Sequence, residues 1–480
     1  MTNNTPFLQA ITHNLSANQI ITNPRDMKAY LEDWRGNFTG MAAAILFPTS
    51  TDEVSAIMKA ASEHNQIIVP QGGNTGLVGG GIPDKTGNAV ILSLARMKRI
   101  RDINKDNRSM VVEAGCILQT LHETVEAKDL YFPLNLAAKG SCSIGGNLAT
   151  NAGGVNVLRY GNTRDLCLGI EVVLLGGEVM NLLTPLRKDN TGYDLKHLFI
   201  GSEGTLGIIT AASMKLFALP TARATAVAAV EDISTAITLL EKLQRISGEQ
   251  VEAFEIMPKE LIDVVLKQFP TLIPPLETQG KFMVLMEIAS TNDADGHPSP
   301  TGEIPIEGMM QKFLESAFED TLITDAAMAR NTTQRQQLWD IRENAPESTK
   351  KESWPVNTDI SMAVSSLEVF YQRATAAIHE IDDTVRICGY GHLGDGNLHF
   401  NLIEREGGDP DWAEKRPILT DRLYEVLADV NGSISAEHGI GRLKAEQLTT
   451  VKDNTALQIM RKLKQSFDPD NLLNPGVVLR

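Results

Sequence analysis

The sequence predicts an α+β protein of more than one domain, and three observations carry that expectation. Strand-like apolar runs alternate with helical patterns and glycine-rich turns as far as residue 220. After Leu219-Pro220 glycine thins out and helical patterns dominate, which marks a boundary. A chain of 480 residues is also too long for a single hydrophobic core.

Along the chain, STDEVSAIMKAASEHN from Ser50 carries a capping box (Ser50 with Glu53) and places Val54, Ile57, Met58 and Ala61 at helical spacing, so a helix is expected. Ile67-Ile68-Val69 reads as a short buried strand running into the loop QGGNTGLVGGG. Further strands are expected at 90–94, 110–113, 169–175 and 207–210. Beyond residue 220, STAITLLEKLQRI and EGMMQKFLESAFED have helical periodicity, and the polar stretch 290–303 reads as an exposed loop. GYGHLGDGNLHFN cannot be a regular helix and reads as strand, tight turn, strand; two helices frame GSISAEHGIGR from about residue 421. The expected domains are 1–220, 221–420 and 421–480.

Composition excludes several classes of function. Hydrophobic residues at 42% and charged residues at 22% are those of a globular protein. A net charge of −16 argues against nucleic acid as a partner, and an anionic substrate would need cationic residues of its own in the pocket. Four cysteines (Cys116, Cys142, Cys167, Cys388) without a CxxC pair are expected as free thiols in a reducing compartment. No secretion signal is expected at the N-terminus, and no run of apolar residues is long enough to span a bilayer, so a cytoplasmic protein is expected.

Three segments concentrate glycine with Asn, Ser and Thr: 70–81, 140–154 and 201–207. None contains GxGxxG or GxxxxGK[ST], which weakens a Rossmann or P-loop reading. Amides exposed in such loops suit a pyrophosphate, because neutral donors can surround it without a counter-charge at each oxygen. Among nine histidines, His392 and His399 flank the tight turn and His438 follows Glu437, a grouping of N and O donors that could start a metal site.

Together, VPQGGNTGLVGG, AAKGSCSIGGNLATNAGG, RKDNTGYDLKHLFIGSEGTLGIIT, GDGNLH and SAEHGIG resemble the FAD-linked oxidases of the vanillyl-alcohol oxidase superfamily. More narrowly they resemble its branch of D-2-hydroxyglutarate dehydrogenases and flavin-type D-lactate dehydrogenases. The resemblance implies a PCMH-type FAD-binding domain of two α+β subdomains, a substrate domain with an antiparallel sheet flanked by helices, and a C-terminal helical segment completing the active site. FAD contacts are implied for Pro70, Gly72, Gly73, Asn74, Thr75, Gly76 and Leu77, and for Pro133, Gly140, Ser141, Gly145, Gly146, Asn147, Thr150, Asn151, Gly153 and Gly154. They are implied also for Glu203, Gly204, Gly207, Ile208, Ile209 and Asn474. Covalent members attach FAD through His or Cys; loop 71–81 has neither, so non-covalent FAD is expected, with Cys142 packed rather than attached.

The same resemblance implies His392, His399 and Glu437 as ligands of a divalent metal, zinc being the first candidate. It implies His438 as catalytic base, Asn401 as a polar pocket residue and Arg342 as the arginine that binds the substrate carboxylate. The expected reaction oxidises a small D-2-hydroxy acid to the 2-oxo acid with hydride transfer to flavin N5, and a quinone, cytochrome or electron-transfer flavoprotein takes the electrons. An oxygen-using alcohol or sugar oxidase is the alternative. A homodimer is expected, and peripheral contact at the inner face of a membrane is compatible with the sequence. Pro346 and Asn357 stand where hydroxyglutarate-specific members carry a threonine and a lysine, which removes donors for a second carboxylate unless Lys350 or Lys351 serves instead.

Overall fold

The computed structural model describes residues 5–278, 280–300 and 302–480. Thr301, in the expected exposed loop, and the first four residues of the N-terminal stretch lie outside the described residues. The chain divides into two compact units. One, here the glycine-rich unit, comprises Met1–Gly154, Gly161–Leu219 and Glu437–Arg480; the other, the sheet unit, comprises Val155–Tyr160 and Pro220–Ala436. Residues 421–436 therefore pack with the sheet unit and 437–480 with the glycine-rich unit.

The glycine-rich unit contains a four-stranded sheet in the order Ile20–Ile21, Ala42–Leu46, Ala89–Ser93, Ile68–Gln71, the last three mutually parallel. Helix Thr51–Glu63 connects two of them, and Val54, Ile57, Met58 and Ala61 are all fully buried in the core it shares with Ile68, Val90 and Leu92. Burying each of the three larger side chains contributes roughly 1.5–3 kcal/mol. Ser50 accepts from the Glu53 amide at 3.2 Å, as the capping box requires. Its reciprocal half differs: the Glu53 carboxylate reaches past Ser50 to the Thr49 amide at 2.7 Å and to the Gln19 side chain at 2.7 Å. The physical reason is that the buried Gln19 side chain, from the preceding 3-10 turn, and the Thr49 amide both donate to this carboxylate.

The unit's second sheet is antiparallel throughout, in the order Ile100–Asn104, Ser109–Glu113, Ile208–Lys215, Cys167–Val173, Val179–Asn181. These two sheets with their helices form the two α+β subdomains. The C-terminal segment returns to the first: the Ile68 amide donates to Leu472 and the Asn474 amide to Ile68, beside a parallel bridge between Ile68 and Leu473.

The sheet unit is built on seven antiparallel strands in the order Asp325–Met328, Ala222–Val230, Phe282–Ser290, Val251–Pro258, Arg386–His392, Asn397–Ile403, Ile360–Ser361. Alternation along the strands gives two apolar faces. One carries Ala253, Met257, Leu285, Cys388 and Tyr390, covered by helices Lys259–Gln268, Thr332–Glu343 and Ala345–Glu352 through Leu261, Leu338, Trp339 and Ala345. Against the other, helix Leu367–His379 sets Phe370 and Tyr371 edge-on to Phe400. The motif GYGHLGDGNLHFN is the hairpin at the heart of this sheet, a single turn of 3-10 helix, Leu393–Asp395, joining its two strands. Among the described residues no helix is long and apolar enough to cross a membrane.

Candidate active site

Strand Ile68–Gln71 ends where the first glycine loop begins, so the loop's backbone leaves the carboxyl edge of a parallel sheet. There it walls a cleft within the glycine-rich unit. Pro70, Gly72, Gly73, Asn74, Thr75 and Gly76 line the cleft, with Gly145, Gly146, Asn147 and Thr150 from helix Ile144–Thr150. Glu203, Gly204, Gly207, Ile208 and Ile209 come from the third glycine segment, and His438 completes the wall. Two of the loops touch: a Cβ on Gly73 would lie 2.0 Å from the Ser141 carbonyl oxygen, and one on Gly72 2.5 Å from the Ser143 hydroxyl. Only glycine allows that approach.

The donor set fits a flavin dinucleotide. Among the described residues no protein acceptor takes the amides of Gly72, Gly73, Asn74, Thr75 or Gly76. The ionisable residues on the wall are Asp33, Glu203 and His438, with no lysine or arginine. A pyrophosphate here would meet amide dipoles rather than cations, as the loop composition suggests. Cys142 is buried, and burial raises its thiol above the ordinary value, which makes it a poor nucleophile.

Leu77, Pro133, Gly140, Ser141, Asn151, Gly153, Gly154 and Asn474 are not on the cleft wall. Several support it instead. Gly153 and Gly154 hold Glu437: the Gly154 amide donates to Oε1 at 2.5 Å, and a Cβ on Gly153 would fall 2.6 Å from the same oxygen. Asn151 is the left-handed cap of helix Ile144–Thr150, and its Oδ1 accepts from the Arg164 amide. The Asn474 side chain donates to the carbonyls of Gly80 and Glu203, both at 2.9 Å. Its Oδ1 is buried without a hydrogen-bond partner among the described residues.

Glu203 does more than line the cleft. Its carboxylate accepts from the amides of Ile440 at 2.7 Å and Gly441 at 2.8 Å, fixing the turn that follows His438. Burial pushes its carboxyl up to about 7, although both hydrogen bonds oppose the shift. Glu203 itself has φ of 52°, and Gly439 and Gly441 have φ of 81° and 55°, so the loop on both sides of the contact is left-handed.

In the sheet unit, His392 and His399 stand on neighbouring strands with ring centroids 5.9 Å apart and planes at 77°. Nδ1 of His392 lies 2.5 Å from Oε1 of Glu255, the residue paired with it on the next strand. Nδ1 of His399 lies 3.9 Å from Asp359. Arg342, on the last turn of helix Thr332–Glu343, points inward: it is 7% exposed, donates from Nε to Oε2 of Glu255 at 2.6 Å, and places Cζ 4.8 Å from the Tyr390 ring centroid. Burial alone would raise the Glu255 carboxyl, but the adjoining His392 and Arg342 outweigh it and hold the group well below the usual carboxylate range. Asn401 is buried mid-strand and accepts from the Thr358 amide at 3.2 Å.

Sequence reasoning missed Glu255. The signal was faint: one of two acids in the run VEAFEIMP, whose eight residues are all buried. Of the possible substitute cations, Lys351 pairs with Glu347 at 2.8 Å and lies over the Phe269 ring, while Lys350, Pro346 and Asn357 are exposed.

A glycine-walled cleft of neutral donors on two α+β subdomains, in a chain that also carries an antiparallel sheet domain, defines a flavin-dependent oxidoreductase of the vanillyl-alcohol oxidase type. The FAD binding domain model matches residues 42–183, and that for FAD linked oxidases, C-terminal domain, matches residues 219–478. The chain belongs to this family of FAD-linked oxidases.

Among curated relatives, the mitochondrial D-2-hydroxyglutarate dehydrogenase of Bos taurus is 37% identical over 461 residues, covering 96% of this chain and 81% of its own. The D-2-hydroxyglutarate–pyruvate transhydrogenase of Saccharomyces cerevisiae is 34% identical, covering 96% of this chain and 92% of its own. The D-2-hydroxyglutarate dehydrogenase of Xanthomonas citri pv. viticola is 32% identical, with coverage of 98% and 96%. Of solved structures, p-cresol methylhydroxylase superposes with a TM-score of 0.74 at 14% identity, covering 98% of this chain and 96% of that one. Alkyldihydroxyacetonephosphate synthase gives a TM-score of 0.72 at 16% identity, covering 98% and 84%. At such identities the two structures share the fold alone.

Proposed function

We propose that the protein oxidises a D-2-hydroxy acid to its 2-oxo acid, with D-2-hydroxyglutarate and D-lactate as the two candidate substrates. The observation that carries this reading is a buried polar cluster in the sheet unit, where His392 and Arg342 share Glu255 and His399 stands beside them. The identity to D-2-hydroxyglutarate dehydrogenases over nearly the whole chain supports it.

When bound, FAD supplies the hydride acceptor, and a divalent ion supplies Lewis acidity toward the substrate hydroxyl. We assign that ion to His392, His399 and Glu437: N and O donors that suit zinc, fewer than a closed structural site would use. The Glu255 contact leaves Nε2 as the ligating atom of His392, the arrangement expected of a metal-bound imidazole. Arg342 binds the substrate carboxylate and fixes the orientation of C2. His438, on the wall of the flavin cleft, takes the hydroxyl proton as hydride leaves C2. Asn401, which accepts from the Thr358 amide, is assigned as a polar residue of the substrate pocket. Turnover would need an electron acceptor for the bound FAD, which we take to be a quinone, cytochrome or electron-transfer flavoprotein; the name of the yeast relative gives pyruvate that part.

The test is an anaerobic flavin-reduction screen across D- and L-2-hydroxy acids of increasing length. The expected result is bleaching by the D-series alone. Bleaching by primary alcohols or sugars, with none by any 2-hydroxy acid, would reject the proposal.

A further inference from the structure

We infer that Glu255 is a positioning residue that ties the metal ligand His392 to the substrate-binding Arg342, so that metal affinity and substrate binding depend on one carboxylate. The inference rests on the reading of His392 and Arg342 given above. Its geometry is independent of that reading. Glu255 is fully buried in the middle of strand Val251–Pro258, and its two oxygens are divided, Oε1 to Nδ1 of His392 at 2.5 Å and Oε2 to Nε of Arg342 at 2.6 Å. A carboxylate so deeply buried is tolerated because both oxygens meet charged or strongly polar donors.

The consequence for each partner follows from its atoms. An imidazole whose Nδ1 proton is held by a carboxylate has a fixed tautomer, a fixed ring plane and a more basic Nε2. Arg342 is gripped through Nε while Tyr390 lies against its face, so both the position and the plane of the guanidinium are set. The two contacts cannot both survive a simple replacement. Glutamine offers one acceptor oxygen and turns an NH2 group toward the second donor; aspartate is one methylene short of spanning both.

The test uses the full chain with FAD bound, stripped of metal, and titrated with Zn²⁺ by calorimetry; D-2-hydroxyglutarate and D-lactate kinetics follow at saturating Zn²⁺. Glu255→Gln should keep the flavin spectrum, weaken Zn²⁺ binding by roughly tenfold to a hundredfold, and raise KM more than it lowers kcat. In an Arg342→Met background the same Glu255→Gln change should raise KM no further, since the contact it removes is already gone. Unaltered Zn²⁺ affinity in Glu255→Gln, with loss of binding in His392→Ala, overturns the inference while leaving the metal reading intact. Unaltered affinity in His392→Ala overturns the metal reading itself. A KM rise that persists undiminished in the Arg342→Met background removes the Arg342 half of the link. If Glu255→Gln and Glu255→Asp both lose the folded circular dichroism spectrum, the residue is structural and the inference fails.

Discussion

His438 is carried two residues ahead of the amides that Glu203 holds, so its imidazole sits on a loop fixed by backbone hydrogen bonds rather than on a free tip. Truncating it should leave FAD in place and slow the chemistry. His438→Ala is expected to purify yellow with an unchanged flavin spectrum, while the stopped-flow rate of flavin reduction falls roughly a hundredfold or more. A variant reduced at the wild-type rate would remove His438 from the mechanism. Gly73 gives a prediction of another kind. A methyl there would press on the Ser141 backbone, which no rotamer change relieves, so Gly73→Ala should purify without FAD; the ratio of flavin to protein absorbance measures it.

At the scale of the element, Glu203 couples the third glycine segment to the C-terminal loop, and its raised carboxyl makes that coupling depend on pH. The unfolded chain releases this proton near the ordinary value of 4.5, whereas the folded protein keeps it to about 7. Its contribution to stability is therefore full below pH 4.5 and is lost as pH rises through 7. The slope in that window is at most about 1.4 kcal/mol per pH unit. Glu203→Gln should flatten that slope in urea unfolding followed from pH 5 to 7.5. Helix Thr51–Glu63 offers a simpler check, since Ser50→Ala removes its N-cap and should cost about 1 kcal/mol in the same assay.

That helix and its neighbours also mark what was legible in the sequence. Its cap and apolar face were readable because each depends on residues three or four apart. The hairpin carrying His392 and His399 was readable because glycine punctuation leaves no other local structure. Glu203 carries a hydrogen bond to a residue 237 positions away, and Glu255 one to a residue 137 positions away; no local pattern encodes either. Both acids are buried, where composition rules expect them least. Arg342 turns inward to meet Glu255, 87 positions away, which no pattern within LWDIRENAPE encodes.

For the whole molecule, the order of chain and fold differ in a way that bears on cofactor retention. The glycine-rich unit is assembled from three separate stretches, and residues 437–480 supply the amides for Glu203, the Asn474 side chain and the strand segment beside Ile68. A chain ending at Ala436 should therefore lose FAD even though every glycine segment is intact. Retention of FAD by the truncated chain, seen as flavin fluorescence released on denaturation, would contradict this account of the unit. The net charge of −16 offers an anionic substrate no long-range attraction, and under the proposed function Arg342, buried in the sheet unit, is the local cation that would meet it.

The most direct measurement is anaerobic stopped-flow reduction of the bound flavin by D-2-hydroxyglutarate and D-lactate, before and after metal is removed with EDTA and after Zn²⁺ is restored. The account predicts rapid bleaching by at least one of the two acids, its loss on chelation with FAD still bound, and its return with Zn²⁺. A flavin reduced equally fast with and without metal, or untouched by either acid, would contradict it.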